Sequence, residues 1–425
     1  MSDENATEEK RNLPIMTGQS TFAQAAWTMA SPSIVLTFLA VSLELPVFLI
    51  GALVSIRQFG GTLADIFLFD PVSRIQKRKH TLALTGLLIA ACFVLAILAS
   101  LFGNKSVIVV VFVLVIFIVG LVSEVQNLIL TDFISDNLRS KSRIRMQYAQ
   151  MAFGGAIAIA LTWIAHRLTL DIPPLHRHSI VVAIAITCFV IAAISVLAVR
   201  DIGAATPAKS EPVHSPVKAA VVYYHNVRRL LSQSWFRNVL ALRLLFAIVT
   251  LSVPFFALIA AETHHQSDHG LAALIISSAG GAIVAGPLWR TLNGFSHRTV
   301  MVTSTALVAL TGIGLIVAHF LHLDQSVHIH AAALFIVTVA VTGLTTVNGL
   351  YFMDVAPKDQ RVMGIAVAKS FGRATLIIVS AGLAAIAHMH ETVWAIMLIV
   401  FISAFAALLS GALAVSRTEP AQATP

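Results

Sequence analysis

Charged residues are scarce in this sequence, where Asp, Glu, Lys and Arg make up 11% of 425 residues and hydrophobic residues make up 57%. Soluble domains carry about 25% charged residues, so this composition excludes an ordinary soluble protein. Cysteine is also rare: Cys92 and Cys188 both lie in apolar runs, which excludes a disulfide framework and a cysteine metal site. We therefore predict an all-α integral membrane protein.

Other familiar patterns are missing as well. The sequence contains no phosphate-binding loop and no nucleophile–base set, so we predict neither an enzyme nor a cofactor. The net charge of +8 does not indicate a nucleic-acid partner, because the cations flank the apolar segments. The N-terminus, "MSDENATEEK", is acidic and polar, which predicts a cytoplasmic tail and no signal peptide.

Apolar segments long enough to cross a membrane recur along the chain. A spanning helix needs about 20 mostly apolar residues, and we predict twelve, near 22–42, 46–67, 81–102, 106–133, 145–166, 179–199, 237–261, 270–291, 299–320, 329–352, 362–387 and 392–415. With the N-terminus inside, the outer loops hold only Lys105, Arg167 and Arg177 among the Lys and Arg residues. This asymmetry predicts that both termini are cytoplasmic.

One long polar connection divides the twelve segments into two sets of six. It contains "AATPAKSEPVHSP", a linker composition, followed by a basic and apolar stretch that predicts a helix on the inner membrane surface. We predict five parts: a cytoplasmic tail at 1–21, a six-helix bundle at 22–199, the linker with its interfacial helix at 200–236, a second six-helix bundle at 237–415, and a tail at 416–425.

The two halves share a repeated sequence. "DNLRSKSRIRMQYAQMAFG" from Asp136 aligns without a gap to "DVAPKDQRVMGIAVAKSFG" from Asp354, so that Arg143 corresponds to Arg361. Both stretches fall between the fourth and fifth segments of their half. This placement is typical of the parallel repeat of one class of secondary transporter and predicts two pseudo-symmetric halves.

A second pair of stretches lies after the second and eighth segments: "GGTLADIFLFDPVSRIQKRK" and "GGAIVAGPLWRTLNGFSHR". With them the chain resembles the major facilitator superfamily over essentially its whole length. The resemblance implies alternating access by rocking of two halves, in a permease of the bacterial inner membrane. It also implies a conformational latch in the first copy, carried by Gly61, Asp65, Arg74, Lys77 and Arg78.

Charged residues inside the apolar segments are candidates for function, because charge is costly within the membrane. Arg57 and Arg373 each lie about 17 Å from one end of their segment, near its middle, and Lys369 shares a helix face with Arg373. We predict that Arg57, Lys369 and Arg373 form a positive pocket for an anionic solute. The alternatives are that Lys369 extends to the inner interface and that Arg373 forms a structural ion pair.

Other residues within the apolar segments are weaker candidates for function. Glu124 is the candidate for proton coupling, with a static pair to Arg57 or Arg243 as the alternative. Gln126, Asn127 and Asn348 are candidate substrate contacts, although buried amides also bond neighbouring helices. Most histidines lie in outer loops without the spacing of a metal site, so we predict none.

These features predict a secondary active, proton-coupled transporter of a small, anionic organic solute, with the lipid bilayer, the solute and protons as partners. We expect a monomer. One alternative is an efflux pump for drugs or metabolites, using Glu124 and Asp65, although the fifth segment carries Gly154 and Gly155 without the proline typical of drug antiporters. Another is a non-transporting assembly or lipid-handling protein on the same scaffold.

Overall fold

The structure is a bundle of long helices. The computed structural model describes residues 3–68, 75, 77–200, 225, 227–294, 296–357 and 360–413, and all regular structure within them is helical. The helices are α1 (Asp3–Met29), α2 (Val35–Ser42), α3 (Val47–Phe67), α4 (Arg78–Phe102), α5 (Lys105–Asn137), α6 (Ser140–Leu168), α7 (Pro174–Leu197), α8 (Ser234–Thr250), α9 (Ser252–His264), α10 (Gly270–Asn293), α11 (His297–Phe320), α12 (Val327–Val355), α13 (Arg361–Met389) and α14 (Thr392–Leu413). The predicted all-α membrane class is confirmed, since 11 helical segments in this part of the chain are long and apolar enough to cross a membrane.

The count of twelve spanning helices is not confirmed, because the first predicted segment, 22–42, is divided. A break at residues 30–34 contains Pro32, which has no backbone N–H to continue a helix. It leaves α2 with only 8 residues and α1 with a polar first half. The seventh predicted segment is also interrupted, between α8 and α9, but the two parts together still form one candidate span, Ser234–His264.

The predicted N-terminal tail is instead part of a packed helix, because α1 begins at Asp3 rather than near residue 22. The Asn12 side chain donates to the Arg200 carbonyl at 2.7 Å and accepts from the Arg200 N–H at 3.1 Å. Glu9 accepts from the Ser142 hydroxyl at 2.7 Å and from the Arg139 N–H at 3.1 Å. Burial raises the pKa of Glu9. These hydrogen bonds and the positive charge of Arg139 lower it by more, so the pKa of Glu9 lies below the usual carboxyl value.

Two other predicted parts lie largely outside the described residues. They are the 200–236 linker, with its predicted interfacial helix, and the 416–425 tail, of which no residue is described. The division into five parts stays a prediction.

Helices α3 and α13 pack closely and antiparallel, joining the first half of the sequence to the second. A Cβ added at Gly51 would lie 2.7 Å from the Ala384 Cβ. The two helices are therefore so close at this point that only glycine fits. One turn further along α3, the Ser55 hydroxyl donates to the Ile377 carbonyl at 3.0 Å. This seam continues into the charged side chains described below.

A second contact between the sequence halves joins α6 to α10. A Cβ added at Gly155 would meet the Ile283 side chain at 2.6 Å, whereas one added at Gly154 would meet Gln24 of α1 at 2.7 Å. The glycine pair of the fifth predicted segment therefore lets α6 approach a helix on each side, which is the packing role of small residues in membrane helices.

The sequence repeat is matched by repeated contacts. The Arg143 Nε donates to the Leu138 carbonyl at 2.8 Å, and the Arg361 Nε donates to the Ala356 carbonyl at 3.1 Å. Each arginine thus bonds the carbonyl of the fifth residue before it, just after a long helix ends. The same local structure is built in both halves of the sequence.

The aspartates of the repeat also have corresponding partners. Asp136, near the end of α5, pairs with Arg78 at the start of α4. Asp354, near the end of α12, pairs with His297 at the start of α11, with 2.7 Å between Oδ2 and Nε2. Both pairs tie neighbouring helices together at the end of the bundle where α6 and α13 begin. We call this end the inner end, after its predicted cytoplasmic orientation.

Candidate functional site

Four charged side chains form a compact cluster between α3, α5 and α13. The Lys369 Nζ lies 2.7 Å from Glu124 Oε1 and 3.2 Å from Asp65 Oδ2. The Arg373 guanidinium contacts the same two carboxylates and also donates to the Gly61 carbonyl at 2.9 Å. Each cation therefore binds both carboxylates, across the seam between the halves of the sequence.

The helical spacing explains this convergence. Lys369 and Arg373 are four residues apart on α13 and share one face, as predicted. Helical side chains point toward the N-terminus of their helix, and α13 begins at the inner end. The Arg373 guanidinium therefore lies beside Gly61, about 9 Å before the end of α3. The long side chain thus places the charged group closer to the inner end than the backbone of Arg373, whose predicted depth in the membrane stays a prediction.

The charges within the cluster balance, so its two cations do not by themselves form a positive pocket. The side chains of Arg373 and Glu124 are only 11% and 13% exposed, so neither is fully hydrated. Two positive and two negative charges are balanced at hydrogen-bonding distance, as a poorly hydrated ion pair requires. Lys369 extends to Glu124 instead of the interface, and within the described chain Glu124 pairs with neither Arg57 nor Arg243.

Arg57 lies apart from this cluster, at the middle of α3. Its guanidinium carbon is 5.3 Å from the centroid of the Trp27 ring, within the range of a cation–π contact. In the described residues its side chain has no carboxylate in contact. Its positive charge is therefore stabilised by an aromatic face and, at longer range, by the charge of Glu124.

A cavity of about 250 Å³ opens beside the cluster. Four helices supply its walls: α3, α8, α12 and α13. Its polar lining consists of Gln58, Arg243, Thr250, Thr345, Asn348, Lys369 and Arg373. The predicted candidates Asn348, Lys369 and Arg373 therefore meet at one cavity. Arg243 joins them there, although its position in the sequence marks it only as a charge within a membrane segment.

A second cavity, of about 140 Å³, adjoins the first and shares Gln58, Thr250 and Leu376 with it. Arg57 lines this second cavity. So do Pro32, from the break before α2, and Pro254, from the first turn of α9. Interrupted helices at corresponding places in two repeats are a common feature of transporter binding sites, so this pair of prolines was a signal in the sequence that could have located the cavity.

Several polar groups of the first cavity are available to a ligand. The side chains of Gln58, Arg243 and Asn348 line it, and in the described residues none of the three has a hydrogen-bond or ion-pair partner. Polar groups that converge on a cavity without partners of their own are what fixes a ligand in a small-molecule site.

Two predicted substrate contacts do not reach either cavity. Gln126 lies two residues beyond Glu124 on α5, a rotation of about 200° around the helix, and its amide nitrogen is 3.6 Å from a Cβ added at Gly86 of α4. Asn127 is exposed. The helix period turns Gln126 away from the face that holds Glu124, whereas Asn127, three residues after Glu124, lies only about 60° from it. Neither residue lines the two cavities, and their role as substrate contacts stays a prediction.

The latch residues are only partly brought together. Gly61 and Asp65 contact Arg373, whereas Arg78 pairs with Asp136 on the neighbouring helix. Lys77 is exposed, and Arg74 lies outside the described residues. Asp65 therefore binds charged side chains of α13 instead of the N-terminal end of a neighbouring helix.

The opposite, outer end of the bundle carries its own contacts between the sequence halves. The Arg177 guanidinium lies 2.8 Å from Asp268 Oδ1, and His166 and His269 approach to 2.9 Å between ring nitrogens. Another histidine pair, His264 and His330, has its ring nitrogens 3.1 Å apart. In the part of the chain that the structure describes, no three His, Cys, Asp or Glu residues are grouped so as to hold a metal ion.

Long apolar helices around a charge-lined cavity are the architecture of a membrane transporter fold. The family model described as Major Facilitator Superfamily matches residues 17–374. The chain belongs to this superfamily, which confirms the resemblance seen in its sequence.

Two similar proteins match about two thirds of this chain. The Uncharacterized protein Rv2209 of Mycobacterium tuberculosis (strain ATCC 25618 / H37Rv) is 27% identical over 297 residues, which cover 68% of this chain and 56% of that protein. The Uncharacterized protein Mb2232 of Mycobacterium bovis matches to the same extent. The chain thus spans about 56% of the length of these relatives.

Solved structures show the shared fold. The nucleoside transporter NupG has a TM-score of 0.69 at 12% identity, over 95% of this chain and 99% of that one. The D-xylose-proton symporter has a TM-score of 0.65 at 14% identity, over 96% and 98%. A POT family transporter in complex with 5-aminolevulinic acid has a TM-score of 0.69 at 10% identity, over 95% and 96%.

Proposed function

We propose that this protein is a proton-coupled secondary active transporter of a small, anionic organic solute, working by alternating access. The observation that carries the proposal is the charge around the two adjoining cavities. Arg57, Arg243, Lys369 and Arg373 supply four positive charges near them, whereas Asp65 and Glu124 supply two negative ones. The excess of positive charge favours an anion.

Glu124 is our candidate for the proton-carrying group. Its two oxygens bind Lys369 and Arg373, so a proton on this carboxyl would release both cations from it. A substrate anion in the neighbouring cavity would then compete with Asp65 for the two cations. Proton uptake and substrate binding are coupled in this way through the same two side chains.

The seam between α3 and α13 is our candidate for the moving interface. Asp65 binds Lys369 and Arg373 across it at the inner end, while Arg177 binds Asp268 at the outer end. Ion pairs at the two ends would form and break in alternation as the halves rock. In this scheme Gly61 and Asp65 act as the inner latch.

We further propose the bacterial inner membrane as the location, with both termini in the cytoplasm. The scarcity of Lys and Arg in the outer loops supports this orientation. Proton coupling has a precedent in this fold, in the D-xylose-proton symporter.

Efflux of cationic compounds has weaker support. It would require Asp65 and Glu124 to bind the substrate, yet each of these carboxylates already contacts two cationic side chains. A non-transporting role does not explain why polar side chains without partners in the described residues line the cavity.

Flux measurements on the purified protein in liposomes test the proposal. The liposomes contain a pH-sensitive dye, and organic anions, cations and neutral solutes are added outside in turn. We expect anions alone to cause proton movement, and Glu124→Gln to abolish it. Asp132→Asn is the matched control, since Asp132 is an exposed carboxylate on the same helix. Proton movement with cations or neutral solutes only, or an unaffected Glu124→Gln variant, would contradict the proposal.

A further inference from the structure

Two arginines near the cavities have no carboxylate in contact among the described residues. Lys369 and Arg373 are balanced by Asp65 and Glu124, whereas Arg57 and Arg243 contact no carboxylate within the described chain. The four cations near the cavities exceed the two carboxylates by two charges, and Arg57 and Arg243 are the two without a carboxylate in contact. Glu124 acts on Arg57 only at longer range.

The two arginines belong to separate but adjoining spaces. Arg57, on α3, lines the cavity of about 140 Å³. Arg243, on α8, lines the cavity of about 250 Å³. Gln58 and Thr250 line both and separate the arginines with polar groups. A solute that occupies both cavities would have one end beside each arginine.

Unneutralised charge inside a membrane protein is costly unless a partner of opposite sign is bound for part of the cycle. A planar guanidinium holds a carboxylate or phosphate with two parallel hydrogen bonds. We infer that the substrate is a small organic dianion whose two anionic groups bind Arg57 and Arg243 separately, while Gln58 contacts the region between them. This inference rests on the proposed transport of anions and deepens it.

The size of the cavities agrees with a short molecule. Binding sites for small molecules measure about 300–1,000 Å³, and the two cavities, of about 250 and 140 Å³, together reach the lower part of that range. A dicarboxylate of a few carbons fits this space better than a large amphipathic acid.

Binding of matched acid and ester pairs tests the inference. Succinate, glutarate and adipate are compared with their monomethyl esters, which keep the shape but carry one charge. The dissociation constants are measured by calorimetry on the full-length protein in nanodiscs. We expect at least one diacid to bind about tenfold or more tightly than its monoester, since each ester loses one charge-assisted pair.

The variants Arg57→Gln and Arg243→Gln should each reduce this preference for the diacid to near unity. Arg57→Lys and Arg243→Lys, which keep the charge, should recover part of it and control for misfolding. Arg167→Gln is the matched control, because Arg167 also stacks on a tryptophan, Trp163, but lies away from both cavities. It should leave the preference unchanged.

Three results would overturn the inference: equal binding of diacid and monoester, an Arg243→Gln variant that keeps the preference, or no binding of any of the three diacids at millimolar concentration. These results are distinguishable from failure of the proposed function. Diacid binding without flux in liposomes would refute transport alone, whereas proton-coupled flux of a monoanion would refute the dianion alone.

Discussion

Glu124 and Arg373 lie on helices from different halves of the sequence, and the Glu124 Oε2 is 2.5 Å from the Arg373 Nη2. The other oxygen of the same carboxylate is 2.7 Å from the Lys369 Nζ. One carboxylate therefore contacts both cations of α13, which Asp65 also contacts, so in the proposed cycle a proton on Glu124 would leave Asp65 as their only counter-charge in the cluster.

Replacement of the shared carboxylate should separate proton coupling from substrate exchange. In Glu124→Gln the amide carries no titratable proton, so we expect a pH gradient no longer to drive accumulation of the substrate. Exchange of labelled for unlabelled substrate across liposomes needs no net proton movement and should continue at a rate within about tenfold of wild type. Loss of both activities to the same extent would instead indicate a structural role for Glu124.

The ion cluster should also contribute to stability. Arg373→Met leaves Glu124 and Asp65 with Lys369 as their only cation, and we expect the free energy of unfolding to fall by up to about 3 kcal/mol. The double variant Arg373→Met/Glu124→Gln restores charge balance and should recover at least half of this loss. Denaturation in micelles measures both values, with Arg298→Met, at an exposed position, as control. Additive effects of the two substitutions would contradict the coupling.

Close packing of α3 against α5 should be sensitive to a single methyl group. A Cβ at Gly120 would lie 2.2 Å from the Arg57 carbonyl, so the helices must separate in Gly120→Ala. We expect this change to lower the free energy of unfolding by about 1–3 kcal/mol. Gly382→Ala is the matched control, because nothing lies within 4 Å of its added Cβ. It should be neutral or stabilising by about 0.5–1 kcal/mol; similar losses in both variants would refute the packing argument.

The outer contact should weaken only in strong acid. The hydrogen bond and charge of Arg177 lower the pKa of Asp268. A lowered pKa means that the contact is fully present above the ordinary carboxyl value, about 3.9, and is lost as the pH falls through the folded value. Spin labels at His176→Cys and Gln266→Cys, both exposed positions, report the separation across this end.

In wild type we expect one narrow distance distribution from pH 8 down to about pH 4.5, because the carboxyl stays ionised over that range. Asp268→Asn removes the charge at every pH and should give a broader distribution already at pH 7. Identical distributions for the two proteins at pH 7 would exclude a contribution of this ion pair to closure of the outer end.

The predictions made from the sequence are correct where a local rule decides the outcome. The spacing of Lys369 and Arg373 predicted one shared face, and the structure confirms it through their common partners. The predictions for Gln126 and Asn127 are untested, but the neighbouring helix, and not the residue type, decides what a side chain on α5 meets: Gln126 lies beside Gly86 of α4, and Asn127 is exposed.

Composition and periodicity by themselves determined that the chain is an all-α membrane protein, since apolar length and helix period are properties of each segment alone. Only the tertiary structure decided which charges are neutralised. Glu124 meets Lys369 and Arg373 through the packing of helices far apart in the sequence, and this pairing leaves Arg57 and Arg243 without a carboxylate in contact within the described chain. Such pairings depend on distances of a few ångströms between segments, which no single segment encodes.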